Sequence, residues 1–450
     1  MSAVSAAEAA ARLEPTDTLG IPLGTGQPAA FLQALGERPD WVDLRVYGAL
    51  LLVGTELFNH ANVHYLSGFF GPIERALRDA GANISFAPAD FRRFAPLLEE
   101  QAPRVMATMA APPNGEGWCS LSLHAGGTMT ELRRAGADPD RLLIVEVSGR
   151  FPATVGLPPE HPHALHLDEI DVLVESDVAP FPLQDPPPSD ADRAIARHAA
   201  AFIPEGATLQ TGIGSVPSTL VGLLAEGERG DFGVHSEMFT TGLMYLHESG
   251  KVTNRKGQFD GVSVATFAAG TEELYDWLRG NQDVAFLPVE TINSPELIGR
   301  NRLMTTINGA MSIDIHGQVI ADTIAGAQFS GIGGHEDFVS GPALELEDRA
   351  LLCLPSTVTI GEDVRSRIVP WFGAGAVITT PRHQVDVVVT EYGAAELQGK
   401  TVRQRGEALA AIAHPDFREE LLEAAERATG GRAARPSPAT RASRQQAAGP

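Results

Sequence analysis

The chain is poor in the features that most quickly assign a protein to a class. It has two cysteines, Cys119 and Cys353, in 450 residues. They form neither a CxxC pair nor a disulfide framework, which points to a reducing, cytoplasmic setting. No apolar run approaches the ~20 residues of a membrane helix; Ala49–Val53 is among the longest. The N-terminal segment has no basic start and no sustained apolar core, so it does not read as a secretion signal. Cations are scarce relative to acids, 34 against 57, giving a formal net charge of -23. A surface of that sign disfavours nucleic acid and anionic membranes, whose phosphates need basic partners. His161, His163 and His166 share a proline-bearing loop without an evident companion ligand set, so no metal centre is expected.

What is present is the composition of a soluble globular protein, 43% hydrophobic and 20% charged, with 46 glycines and 32 prolines marking many turns. The length exceeds what one hydrophobic core usually serves, so two domains are expected. Short apolar runs at 83–86, 104–109, 142–147 and 171–174 alternate with helical stretches at 72–80 and 91–101, the pattern of a parallel α/β sheet. Prolines at 180, 182 and 186–188 break every regular pattern. Further strands are expected at 207–210, 284–288, 303–307, 351–354, 376–379 and 386–390, and a hairpin at 311–321 around His316-Gly317. The predicted organisation is a loose leader (1–20), an N-terminal α/β domain (21–178), a proline-rich linker (179–190), a C-terminal α/β domain (191–428) and a disordered tail (429–450) that holds four arginines and no acid.

Three segments could carry chemistry. Gly212-Ile213-Gly214-Ser215-Val216 follows a strand-like run and opens a helix, a geometry suited to anions. Pro217 replaces the third glycine of a dinucleotide fingerprint, and a tight structural turn is the plain alternative. Glu237, in His235-Ser236-Glu237-Met238, sits among apolar neighbours that could strip water from its carboxylate, a possible covalent nucleophile. His235 reads either as a base or as a satisfied core histidine. The loop Ser330-Gly331-Ile332-Gly333-Gly334-His335-Glu336-Asp337-Phe338 could present backbone amides to an oxyanion, or simply supply positive φ angles. Asn293 could donate an amide hydrogen bond or precede a helix start. Lys251, Arg255 and Lys256 form a basic cluster, read as a solvated turn or as a phosphate contact.

The order of these segments, continued by Ile307-Asn308-Gly309-Ala310, Gly317-Gln318, Val389-Thr390-Glu391-Tyr392-Gly393 and Ile412-Ala413-His414-Pro415-Asp416-Phe417-Arg418, resembles the acetyl-CoA hydrolase/transferase family. Among its members the 4-hydroxybutyrate CoA-transferases are the most similar in these motifs. The resemblance spans roughly residues 27–425 and has weaker matches at Gly71-Pro72 with Arg75, at Gly117–Leu121 and at Glu146-Val147-Ser148. It implies two open α/β domains of the CoA-transferase type, with mostly parallel sheets flanked by helices. Glu237 would be the catalytic glutamate, Asn293 its support and Gly334 the oxyanion donor. Gly212, Ile213, Gly214, Ser215, Val216, Gly331, Gly333 and Gly334 would contact coenzyme A. Coenzyme A would be a substrate, with no tightly bound cofactor. The partners implied are acyl-CoA and small carboxylic acids, and the chain is expected to form a homo-oligomer. A transferase working through a glutamyl-CoA thioester is expected first, an acyl-CoA hydrolase on the same site second, and a silent ligand-binding scaffold third. His335 departs from the family pattern, which has glutamine after the paired glycines.

Overall fold

The computed structural model describes residues 2–342 and 345–429. Two parallel sheets dominate it. The first has seven strands in the order Ile84–Phe86, Val63–Ser67, Leu44–Gly48, Thr18–Gly20, Val105–Ala110, Leu142–Val147 and Val172–Glu175, all parallel. Val105–Ala110 is buried at every position, as expected of a strand covered on both faces. The chain runs outward from Thr18–Gly20 in one direction, then returns to start the other half at Val105. This creates a switch point where loops diverge at the strands' carboxyl ends, the usual place for a ligand in such sheets.

The second sheet has the order Gly233–Val234, Thr208–Thr211, Met304–Gly309, Arg349–Cys353, Val387–Thr390 and Gly393–Glu396. Only the last pair is antiparallel. Its own switch point lies between Thr208–Thr211 and Met304–Gly309, where Gly212 and Gly309 leave the sheet. Between the two large sheets, Met238–Phe239 pairs with Phe267–Ala268 and Ser263–Ala265 with Val284–Phe286. The fold is thus α/β with mostly parallel sheets flanked by helices. Among the described residues no helix is long and apolar enough to cross a membrane.

The leader expected at 1–20 is packed structure over its described residues, 2–20. Ser5 and Glu8 form a reciprocal capping box that starts the helix Ala6–Ala10. Val4 donates its N–H to Leu173 O at 2.9 Å, extending the sheet edge. Ala9, Ala10 and Leu13 lie in the core with Phe31, Leu35 and Val174, and Thr18–Gly20 is the central strand. The alanines that suggest a featureless leader are small because the helix packs closely on its neighbour. Residues 176–189 have neither helix nor strand, and Ser189 caps the helix Asp190–Ala200 through a second capping box.

The hairpin forms, with Ser312–Asp314 antiparallel to Val319–Ile320 and Gly317 at φ +89°. No strand forms at 376–379. Gly373 and Gly375 precede it and Pro381 follows, so only a single bridge joins Thr380 to Val319. The tail expected at 429–450 lies outside the described residues, apart from Thr429 at the end of the helix Arg418–Thr429.

Candidate active site

The carboxyl ends of both sheets face one cleft of about 320 Å³. Glu237 follows the short edge strand Gly233–Val234, and its backbone is fixed before its side chain is considered. The Glu237 carbonyl accepts N–H groups from Thr266 at 2.9 Å and Phe267 at 3.2 Å. Ser236, fully buried, donates its hydroxyl to Met238 O at 2.8 Å. These bonds turn the side chain at 237 into the cleft rather than along the sheet.

The carboxyl meets a small set of donors. Asn293 Nδ2 donates to Glu237 Oε2 at 2.7 Å and to Asp337 Oδ2 at 2.9 Å. The Gly334 backbone N–H also donates to the Glu237 carboxyl. A β-carbon on Gly334 would stand 1.9 Å from Glu237 Oε2 and 2.5 Å from Asn293 Nδ2, so only glycine permits this approach. Residue 237 keeps some surface open to the cleft, yet protein surrounds the carboxyl closely enough to exclude bulk water. Burial therefore pushes its pKa up to about 8, and the nearby Asp337 charge adds to the rise, while the Asn293 and Gly334 hydrogen bonds oppose it.

Asp337 is buried as well, and burial lifts it to about 6 against the pull of Asn293 and Arg92. Arg92 bonds Asp337 Oδ1 through Nη1 and Asp90 Oδ2 at 2.8 Å through Nη2. The first sheet's side of the molecule thus supplies the cation that steadies acids next to Glu237. It also holds the glycine loop: the Phe91 N–H donates to Gly333 O at 2.9 Å, and Arg75 Nη1 donates to Phe329 O at 2.7 Å. Gly333 has φ +56°, and a β-carbon on Gly331 would lie 2.7 Å from Gly68 O.

The predicted site residues divide. Glu237, Gly212, Ile213, Gly331, Gly333 and Gly334 line the cleft, and Asn293 stands directly behind Glu237. Ser215 and Val216 turn into the helix Ser215–Glu226 and do not line it. The Gly214 N–H, which would greet an anion, donates instead to Asp185 Oδ1 at 2.7 Å, and Ser218 also donates to Asp185. A carboxylate from the segment before the helix therefore occupies the expected anion position.

His235 is a core histidine. Its Nε2 donates to Ile292 O at 2.7 Å and its Nδ1 accepts from Asn301 Nδ2 at 3.1 Å, while burial lowers its pKa to about 4. The basic cluster divides: Arg255 is solvent-exposed, Lys251 is half-buried and only Lys256 departs from the solvated-turn reading. Lys251 donates to Leu224 O, Arg255 pairs with Asp231, and Lys256 is fully buried, donating to the carbonyls of Phe259 and Val262. His335 lines the cleft beside Gly334 and donates through Nε2 to Thr380 Oγ1 at 2.8 Å; the Thr380 hydroxyl in turn donates to Glu336 Oε1.

Sequence reasoning missed Arg92 and gave no role to Asp337. Asp337 lay inside the glycine-loop motif and could have been suspected there. Arg92 carries no local signal for this role, because Asp337 lies 245 residues away.

The chain is similar to known proteins along most of its length. Residues 270–425 match the family description "Acetyl-CoA hydrolase/transferase C-terminal domain". The chain is 33% identical to the 4-hydroxybutyrate coenzyme A transferase of Clostridium kluyveri over 93% of its length and 96% of the relative's. It is 33% identical to the succinyl-CoA:cyclohexane-1-carboxylate CoA transferase of Geobacter metallireducens, covering 94% of each chain. The crystal structure of a 4-hydroxybutyrate CoA-transferase from Porphyromonas gingivalis superposes with a TM-score of 0.76 at 28% identity, over 95% of this chain and 97% of that one.

Proposed function

This chain belongs to the acetyl-CoA hydrolase/transferase family, and from that premise we propose that it moves coenzyme A between a short-chain acyl-CoA and a small carboxylate through a covalent thioester on Glu237. The single observation that carries the reading is the asymmetry of the Glu237 carboxyl. Asn293 Nδ2 holds Oε2 at 2.7 Å, and Gly334 closes on the same oxygen so tightly that a β-carbon there would fall 1.9 Å from it, while Oε1 faces Gly333 with 4.0 Å left to a β-carbon there. Oε1 is the free nucleophile.

The ionised Oε1 attacks the thioester carbonyl carbon, the C–S bond breaks, and coenzyme A leaves as thiolate with a mixed acyl–glutamyl anhydride behind it. Burial that raises the pKa also leaves the ionised carboxylate poorly solvated and therefore reactive. The thiolate then attacks the Glu237 carboxyl carbon. Charge moves onto Oε2, where the Asn293 amide and the Gly334 N–H are already placed, an oxyanion hole built for the enzyme's own side chain. Collapse releases the first carboxylate and leaves a glutamyl-CoA thioester. An incoming carboxylate reverses the steps and departs as the new acyl-CoA. Coenzyme A is a substrate throughout, and no electrons change hands. The thiolate must find the anhydride before water does, which the closed cleft favours by holding the remote parts of coenzyme A.

The test is to incubate the protein with acetyl-CoA, reduce with borohydride and locate the modified peptide. Conversion of Glu237 to its alcohol supports the cycle. Rapid acyl exchange with Glu237 unmodified would overturn it. CoA release that depends on water rather than on added acetate would assign a hydrolase instead.

A further inference from the structure

Beside the catalytic cleft lies a second, smaller chamber of about 120 Å³. It is built from the carboxyl ends of the first four strands of the first sheet. Ile21 follows Thr18–Gly20, Ala49 follows Leu44–Gly48, Gly68 follows Val63–Ser67 and Ala87 follows Ile84–Phe86. Leu97 and Leu98 of the helix Phe94–Gln101 close one side. Chamber and cleft share Leu23, Ala49, Phe91 and Phe94 as walls. Phe91 and Phe94 stand edge to face at 5.3 Å, so the wall shared by the two spaces is aromatic.

Two polar side chains break this apolar lining without a protein partner. His124 is 2% exposed and no other residue hydrogen-bonds its ring; Thr128 is 5% exposed and its hydroxyl has no partner. Buried polar groups left this way are costly, so their presence calls for a partner that comes and goes. The His124 ring is seated deliberately. A β-carbon at Gly126, where φ is +53°, would fall 2.1 Å from the ring, and one at Gly26 would fall 2.9 Å from it. The loop carrying His124 is tied to the nucleophile: the Ala125 and Gly126 N–H groups donate to Thr266 O, and the Thr266 N–H donates to Glu237 O. Tyr47 and Gln101, the other polar-bearing lining residues, are half-buried and exposed.

Resting on the transferase reading above, we propose that this chamber is the acyl-selecting pocket, and that it takes an uncharged four- to five-carbon chain bearing a hydroxyl or oxo oxygen that His124 and Thr128 bind. The size follows from the volume, since a cavity of about 150 Å³ holds benzene. The oxygen follows from the two unpaired groups, one able to donate while the other accepts. The exclusion of a second carboxylate follows from the walls. Burial holds the His124 ring neutral, with a pKa near 3, and no cation lines the chamber to offset a charge.

The experiment uses the full chain with acetyl-CoA as donor and measures kcat/KM for matched acids: 4-oxopentanoate against pentanoate, 4-hydroxybutanoate against butanoate, and glutarate as the charged case. The expected result is at least a ~10-fold preference for each oxygenated acid over its plain partner, with glutarate poorest, because a site that hydrogen-bonds an oxygen rejects the analogue lacking it. His124→Leu and, separately, Thr128→Val should each abolish that ratio, while His124→Gln should restore part of it. A ratio within one preparation does not depend on the fraction folded. Equal rates for plain and oxygenated acids in the native protein, or ratios unchanged in both variants, overturn the assignment. Absence of CoA transfer to every acid, acetate included, would sink the transferase reading instead, so the two failures are told apart.

Discussion

Replacing Gly334 by alanine isolates the contact on which the chemistry turns. The residue sits at φ -86° and ψ 9°, which alanine can adopt, so backbone strain does not enter. The added methyl would lie 1.9 Å from Glu237 Oε2. An ordinary carbon–oxygen contact is about 3.3 Å, so the carboxylate or the loop must move by roughly 1.4 Å. The carboxylate cannot retreat without losing Asn293, whose Nδ2 would itself be 2.5 Å from the new carbon. A misplacement of about 1 Å can cost 10²-fold in rate, and loss of one oxyanion donor costs about 2.7 to 4 kcal/mol. Gly334→Ala should therefore lower kcat/KM for acetyl-CoA and acetate by about 10²- to 10³-fold, set by the same two effects. Gly333→Ala is the control. There φ is +56°, the nearest side-chain atom is Phe69 Cε2 at 3.3 Å and Glu237 Oε1 is 4.0 Å away. The left-handed conformation costs a β-carbon about 1–2 kcal/mol, so this variant should lose melting temperature and keep most of its turnover. Exchange of labelled acetate into acetyl-CoA, measured well below each melting temperature, separates the two. Gly334→Ala within twofold of the parent would refute the placement of the oxyanion donor.

Other expectations follow from the same site. With Glu237 near 8, kcat/KM should rise with pH through that region as the nucleophile ionises. Asp337→Asn removes a negative charge that helps hold the Glu237 proton, so the acid limb should move to lower pH; a limb left in place would exclude Glu237 as the titrating group. Asn293→Ala should cost about 10²-fold or more in kcat, as for other lost oxyanion donors, with little change in the concentration of acyl-CoA needed for half-saturation. Leu13→Ala, in the N-terminal segment packed on the first sheet, should destabilise the protein by about 2–5 kcal/mol in denaturant unfolding; a change under about 0.5 kcal/mol is what a surface leader would give.

The strands buried on both faces were readable because burial writes them as unbroken apolar runs. Leu142–Val147 appears at the expected boundaries, and Val105–Ala110 and Val387–Thr390 fall within a residue or two. Leu44–Gly48 escaped because Arg45 and Tyr47 interrupt its apolar pattern. Thr18–Gly20 is only three residues long, too short for any periodicity to show. Glu237, Asn293 and Gly334 were legible from the order of motifs, since the residues flanking each are local. The contacts that set the acidity of Glu237 are not local. They join residues 92, 293 and 337 across two sheets, and no spacing rule in one chain predicts which of 57 acids will meet which arginine.

That distant pairing explains why the proposed nucleophile needs the whole molecule and not just the second sheet. Glu237, Asn293 and the glycine loop all belong to the second half of the chain, and they would form a carboxylate in an oxyanion hole there unaided. Three acids nevertheless crowd the same space, Glu237, Glu336 and Asp337, each raised by burial. Two ionised carboxylates so placed repel, and one would take up a proton at the expense of the nucleophile. Arg92 decides where that proton goes: paired with Asp337 rather than with Glu237, it leaves the proton to Glu237, whose pKa is the higher of the two. Asp337 can then stay ionised through its bonds to Arg92 and Asn293, while Glu237 remains free of any cation that would blunt its attack. The helix that follows Arg92 is Phe94–Gln101, a wall of the acyl chamber, and the residue before it is Phe91, whose N–H holds Gly333 in place. One short segment, 90–94, therefore sets the charge balance, the proposed oxyanion loop and the edge of the proposed acyl pocket together, so substitutions there should alter rate and acyl preference jointly.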